Sequence, residues 1–222
     1  MRRYSIILSA LFLLMSCDSN HQREFSNISR DDIRGYEEFI RNYPSSALVS
    51  DAMDRIKVAK DNLRIQEEME HQRQLENTYS NISLQNGAHP YSQWYGNNLY
   101  FDDHTPHSEI RVSAPSETDV VVIVRYSNQN GNVAGHIYIK AGHSATVYLK
   151  NNYNYQTFFY FGKGWYSGKE MLHGIKGGFV KNESYSKDGS PTYMSNDVLS
   201  YTLTQQLNGN FQTSGSSEGE MF

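Results

Sequence analysis

The stretch "DVVVIVRY", Asp119–Tyr126, decides the fold. It sets five aliphatic residues in a row, Val120 to Val124. A strand with one face in water alternates apolar and polar residues. This one is apolar on both faces, which predicts a central strand buried on both sides. Asn130-Gly131 follows it, a favoured pair for a tight hairpin. The strand therefore needs a neighbour on each edge and a cover on each face.

Those neighbours are legible on either side. "EIRVSA" begins at Glu109, "GHIYIKA" at Gly135 and "SATVYLK" at Ser144, the last two separated by Gly142 and His143. "YQTFFYFG" runs from Tyr155 to Gly162 and "VLSYTLTQQL" from Val198 to Leu207. Short strands with frequent turns predict an antiparallel all-β sandwich over residues 87–209. Its start is marked by the turn residues of "NGAHPY", Asn86 to Tyr91. Composition changes there too: residues 87–222 hold 13 of the 17 tyrosines and both tryptophans, so the aromatic packing belongs to this part. Residues 210–222, with "TSGSSEGE", read as a disordered tail.

Upstream, the pattern is helical. Ile33, Tyr36, Phe39 and Ile40 share one helix face, and Asp31 and Asp32 suit the helix N-terminus, where the dipole favours acids. Pro44 in "NYPSSA" ends this helix, and Ser45 or Ser46 caps the next. That helix carries Ala52, Ile56, Ala59 and Leu63 at spacings of four and three. Arg64 to Thr78 has too sparse an apolar stripe for a core and reads as a solvated helical spacer. The expected fold class is thus α+β by segments: a helical hairpin and spacer over 31–80, then the sandwich.

The first thirty residues carry an address. Arg2 and Arg3 precede an apolar run from Ile6 to Met15, too short for a bilayer core of about 30 Å. The run ends Leu14-Met15-Ser16-Cys17, and Cys17 is the chain's single cysteine. No internal disulfide is possible. Residues 1–16 read as a signal peptide and 17–30 as a polar tether. The formal charge of -4 becomes more negative once Arg2 and Arg3 are removed, and no basic stripe is evident, which argues against a nucleic-acid partner.

Three resemblances extend this reading. Leu14 to Cys17 resembles the lipobox of bacterial lipoproteins, which implies acylation of Cys17 (palmitate among the chains), cleavage before it, and membrane lipid as a partner. "YEEFIRNYPSSALVSDAMDRI", Tyr36 to Ile56, resembles one tetratricopeptide-like hairpin. Val112 to Gly164 is similar to transthyretin-like or carboxypeptidase-regulatory-like modules, which are small β-sandwiches. The C-terminal portion, with "HPYSQWYG", "FFYFGKGW" and "KGGFV", is similar to uncharacterised Bacteroidota lipoproteins. These imply an exported protein, lipid-anchored in the cell envelope and at the outer membrane.

Candidate chemistry is sparse. "FGKGWYSGK", Phe161 to Lys169, fails as a phosphate loop: Lys163 stands where the first glycine belongs and Glu170 where a Ser or Thr belongs. It reads instead as a strand exit and glycine turn. Asp102, His104 and His107 are the residues a metal would take, but no established ligand spacing supports them, so no metal or other cofactor is expected. A metal-dependent envelope hydrolase on this cluster is the disfavoured alternative. His136, Tyr138 and Lys140 alternate with Ile137 and Ile139 and read as an outward face. Trp94, Tyr95, Trp165 and Tyr166 are the candidate binding platform, since flat aromatic rings stack on sugars or prolines. The expected function is therefore a non-enzymatic envelope lipoprotein with a binding or structural role, its alternative a glycan- or peptide-binding module built on those rings. An envelope protein or glycan is the expected partner.

Overall fold

Pro44 breaks the helical region as its ring and missing N–H require. Helix α1 covers residues 20–27, α2 Ile33–Asn42 and α3 Val49–Tyr79. Asp32 caps α2 by accepting from Gly35 N at 2.8 Å, and Leu48 N donates to Ser46 Oγ ahead of α3. The computed structural model describes residues 20–96, 105–127, 132–204 and 213–222, and the chain divides into two compact units between His71 and Gln72. That boundary falls inside α3 rather than at the turn residues Asn86 to Tyr91.

In the first unit, Phe25, Tyr36, Phe39 and Ala52 form the buried cluster, joined by Ile40, Leu48 and Ile56. Phe25 lies in the stretch read as a tether. Residues 20–27 are helical, and Phe25 is buried against Tyr36 and Phe39. The Arg55 guanidinium lies 4.5 Å over the Phe25 ring while its Nη1 donates to Tyr36 Oη at 2.9 Å. A contact of this kind contributes about 0.5–2 kcal/mol. Sequence polarity hid this helix because Phe25 is its single buried residue.

The second unit contains two mostly antiparallel sheets, neither closed. Their strands are β1 Ser108–Ser113, β2 Asp119–Tyr126, β3 Val133–Ile139, β4 Ser144–Leu149, β5 Tyr153–Glu170, β6 Lys176–Asp188, β7 Thr192–Met194, β8 Val198–Thr202 and β9 Thr213–Gly215. The larger sheet runs β3-β2-β5-β6-β9, with β7 also on β5. The smaller runs β4-β1-β8, with β1 antiparallel to β4 and parallel to β8.

β2 is flanked by β3 and β5 and buried on both faces. Val120, Val122 and Val124 enter an apolar cluster that also takes Ile110, Val112, Val147, Leu149 and Tyr201 from the smaller sheet. Val121 and Ile123 enter a second cluster on the opposite face, with Tyr91, Tyr138, Tyr160, Trp165, Phe179, Met221 and Phe222. Burying each aliphatic side chain contributes roughly 1.5–3 kcal/mol before chain entropy is counted. Two cores, one on each side of one sheet, explain why "VVVIV" does not alternate.

The second core corrects three expectations. His136 and Tyr138 do not face water; both are fully buried beneath residues 84–95. The last residues are not a frayed tail. β9 pairs with β6, helix α4 (Ser92–Tyr95) and the short α5 (Glu218–Met221) border the same cluster, and Met221 and Phe222 are buried in it. Arg125 Nη2 donates to Met221 O at 2.7 Å and to Phe222 O at 2.9 Å, and Lys187 pairs with Glu220 at 2.6 Å.

Finally, "FGKGWYSGK" is strand, not turn: β5 continues to Glu170. Its glycines serve close approach. A Cβ on Gly162 would sit 2.3 Å from Phe179 Cβ, and Gly164, at φ +72°, would bring one 2.6 Å from Tyr79 O. Gly162→Ala should therefore destabilise the unit by about 1–3 kcal/mol by overpacking, read as a lower urea midpoint. Gly215→Ala, where a Cβ meets nothing within 4 Å, should leave the midpoint near wild type. Equal midpoints for the two variants would refute the close-packing account.

Candidate functional site

The strands of the smaller sheet alternate strictly, and that alternation builds a surface. Ile110 and Val112 of β1, Val147 and Leu149 of β4, and Tyr201 of β8 point to the first core. The residues between them point the other way. Register aligns these outward residues in three rungs: Tyr148, Glu109 and Val198; Thr146, Arg111 and Ser200; Ser144, Ser113 and Thr202. Neighbouring strands lie about 4.8 Å apart and same-face residues about 7 Å apart, so nine side chains form a three-by-three lattice.

Two of the rungs border a groove of about 350 Å³, within the roughly 300–1,000 Å³ range of small-molecule sites. Small hydroxyl side chains form its floor: Ser113, Ser144, Thr146, Ser200 and Thr202. Ser113 Oγ and Ser144 Oγ lie 2.8 Å apart. Arg111 rises from the centre with its side chain 57% exposed. Glu109 Oε2 accepts from Arg111 Nε at 2.8 Å and forms an ion pair with Nη2, 2.7 Å away. An exposed pair contributes about 0–1 kcal/mol of stability. Its effect here is orientation: one edge of the guanidinium is occupied and the remaining N–H groups are aimed by it. His107 lies 3.4 Å from Glu109 Oε1, and its ring meets Tyr148 edge-on at 5.3 Å. Tyr148 is 43% exposed and supplies an aromatic ring at that end.

The expected platform is not assembled. Trp165 is only 4% exposed and packs among Tyr138, Phe179 and Tyr91. Trp94 and Tyr95 are half-buried on α4 against the same cluster. Tyr166 stacks on Tyr79 at 4.5 Å. Phe158 and Tyr160 fill the second core and Phe159 the first, so this stretch of β5 presents no exposed aromatic face. Aromatic richness here reflects two cores rather than one core and a platform.

Of the metal candidates, Asp102 and His104 lie outside the described residues, as does Cys17. His107 Nδ1 lies 2.9 Å from Thr105 O. Among the described residues, no three His, Cys, Asp or Glu side chains gather as a metal would require.

Buried polar groups elsewhere serve the fold. Asp119 accepts from Ser83 Oγ at 2.7 Å, from Ala141 N at 2.7 Å and from Tyr138 Oη. Tyr160 Oη donates to Glu183, which also pairs with Lys169, and it accepts from Phe179 N at 2.8 Å. Burial, reinforced by Glu183, pushes the Tyr160 phenol up, so it stays a donor. His136 Nε2 accepts from Tyr91 N at 3.1 Å, and burial holds this imidazole down to about 4, with His89 opposing its charge as well.

Sequence reasoning passed over the groove residues because serine and threonine at alternate positions read as an ordinary solvated face. Their coincidence in "SATVYLK" and "VLSYT" was the available signal; the register that unites them was not. No protein-family model matches this chain, and no curated protein is significantly similar to it.

Proposed function

We propose that the protein is a lipid-anchored cell-envelope protein with a non-catalytic binding role. The observation that carries the reading is the run ending Leu14-Met15-Ser16-Cys17 behind Arg2 and Arg3, with Cys17 the chain's single cysteine. Small Ser16 admits a peptidase, and the thiol is the nucleophile that acylation uses. Two or three acyl chains hold a protein stably to a bilayer, whereas one is marginal. No described helix is long and apolar enough to cross a membrane. We place the anchor at the outer membrane, and we read the two sheets as the layers of a sandwich carried by the helical unit. Two residues separate Cys17 from residue 20, where the described helix begins, so three Cα steps span at most about 11 Å. The helical unit would therefore lie close to the lipid.

The test is metabolic labelling with a fatty acid in a bacterial host that exports the full chain. Wild type should incorporate the label and fractionate with membranes, and Cys17→Ser should carry no label. Labelling rather than pelleting decides, because an uncleaved apolar run can itself hold a protein at a membrane. An unlabelled wild-type protein, or a labelled Cys17→Ser, would overturn the proposal.

A further inference from the structure

We propose that the outward face of the β4-β1-β8 sheet binds a neutral glycan, with Arg111 at its centre. This rests on the binding role proposed above and names its surface and ligand class. The lattice of outward side chains has the chemistry of sugar recognition. Each hydroxyl on the groove floor both donates and accepts, as a sugar hydroxyl does, so the two sets can pair in either sense. The Arg111 guanidinium adds fixed donors in a plane, matched to adjacent hydroxyl oxygens.

Charge selects a neutral ligand over an acidic one. Arg111 is the groove's charged lining residue, and Glu109 on the adjoining rung pairs with it through one oxygen. The face is balanced before ligand arrives. An acidic polymer would have to compete with Glu109 for Arg111, while a neutral sugar uses the N–H groups that Glu109 leaves free. Nucleic acid fits poorly for the same reason, since its binding depends on cations that are not already paired. A protein partner fits poorly because interface centres are built on large buried anchors. Here the two bulky uncharged side chains, Tyr148 and Val198, stand at one end, away from the groove floor.

The geometry is rigid. All nine residues lie on strands, and the floor is fixed from behind by Ile110, Val112, Val147 and Tyr201. A ligand would meet a preformed surface and leave the backbone unmoved.

The experiment is a glycan microarray carrying neutral and uronic-acid oligosaccharides, probed with the full chain in detergent, followed by titration of any sugar bound. Neutral oligosaccharides should bind, and raising the salt should leave the affinity unchanged, since no net charge is neutralised. Arg111→Ala should weaken binding about tenfold or more by removing charge-assisted hydrogen bonds. Ser200→Tyr, which fills the groove from an exposed strand position, should do the same. Tyr193→Ala, an exposed ring on β7, should bind as wild type does. No binding to any neutral sugar overturns the proposal, as does a preference for the uronic acids or unchanged binding by Ser200→Tyr. Acylation of Cys17 is read separately, so a labelled protein that ignores glycans defeats this inference and leaves the anchor standing.

Discussion

Asp119→Ala should lower the stability of the second unit by about 3–5 kcal/mol, seen as a large drop in the urea midpoint with little change in slope. Asp119 opens β2, and its carboxylate gathers three donors from three places. Ser83 reaches it from the segment after α3, Tyr138 from β3, and Ala141 N from the β3–β4 turn. Alanine takes the carboxylate acceptor from the fully buried Tyr138 hydroxyl and leaves the Ala141 amide without its partner. Ser83 is exposed and can turn to water, which is why the expected loss is not larger. Asp119→Asn keeps an acceptor oxygen but points an amide N–H at one of the donors, so its midpoint should fall between the two. A loss below about 1 kcal/mol for the alanine variant would show that the three donors find other partners.

The second large effect is a pH dependence traced to His136. Its folded value of about 4 lies below the roughly 6.5 of an unfolded histidine. A group depressed on folding contributes fully above the unfolded value, and its contribution is lost as pH falls toward the folded one. Between pH ~6.5 and ~4 the unfolded chain takes up a proton that the folded chain refuses, which removes about 3 kcal/mol. The reason is local. Nε2 already accepts from Tyr91 N, so a proton there would set two N–H groups face to face. The His89 ring, its centroid 5.4 Å away, also opposes a charge on His136, while Tyr91 and Tyr95 stay neutral across this range. Carboxylates titrate in the same window, so the readout is a comparison. The stability of His136→Gln, which keeps an acceptor, should fall less steeply from pH 7 to 4 than that of wild type. Parallel curves would assign the acid sensitivity elsewhere.

Parts of this architecture were readable from residues alone because the deciding signals are local. "VVVIV" declares burial on both faces, Pro44 a break, and Asp31 and Asp32 a helix start, each within one element. β5 was cut short because Gly162 and Gly164 look like turn residues until Phe179 and Tyr79 are seen pressing on them. β6 was missed because "KNESYS" carries little apolar alternation: that half is held by pairing with β5 and β9, while the buried side chains, Phe179 and Val180, lie at its start. His136 and Tyr138 looked solvated because their cover comes from irregular chain at both ends of the unit, Leu84 to Tyr95 and Met221 to Phe222. No periodicity announces such a lid. The candidate groove was hidden for a related reason. Arg111, Thr146 and Ser200 become one rung only through strand pairing, and sequence patterns do not encode which strands pair.

That pairing also sets an order of events. β1 runs parallel to β8, and Asp197 N meets Ser108 Oγ at a sequence separation of 89. The helical hairpin closes over a few residues and β2–β3 over a short turn, so both can form while the chain is still emerging. The β1–β8 rung must wait for almost everything between, and contacts of such long range make folding slow. The proposed binding face would then be the last part of the molecule to exist, completed only after both cores behind it are in place.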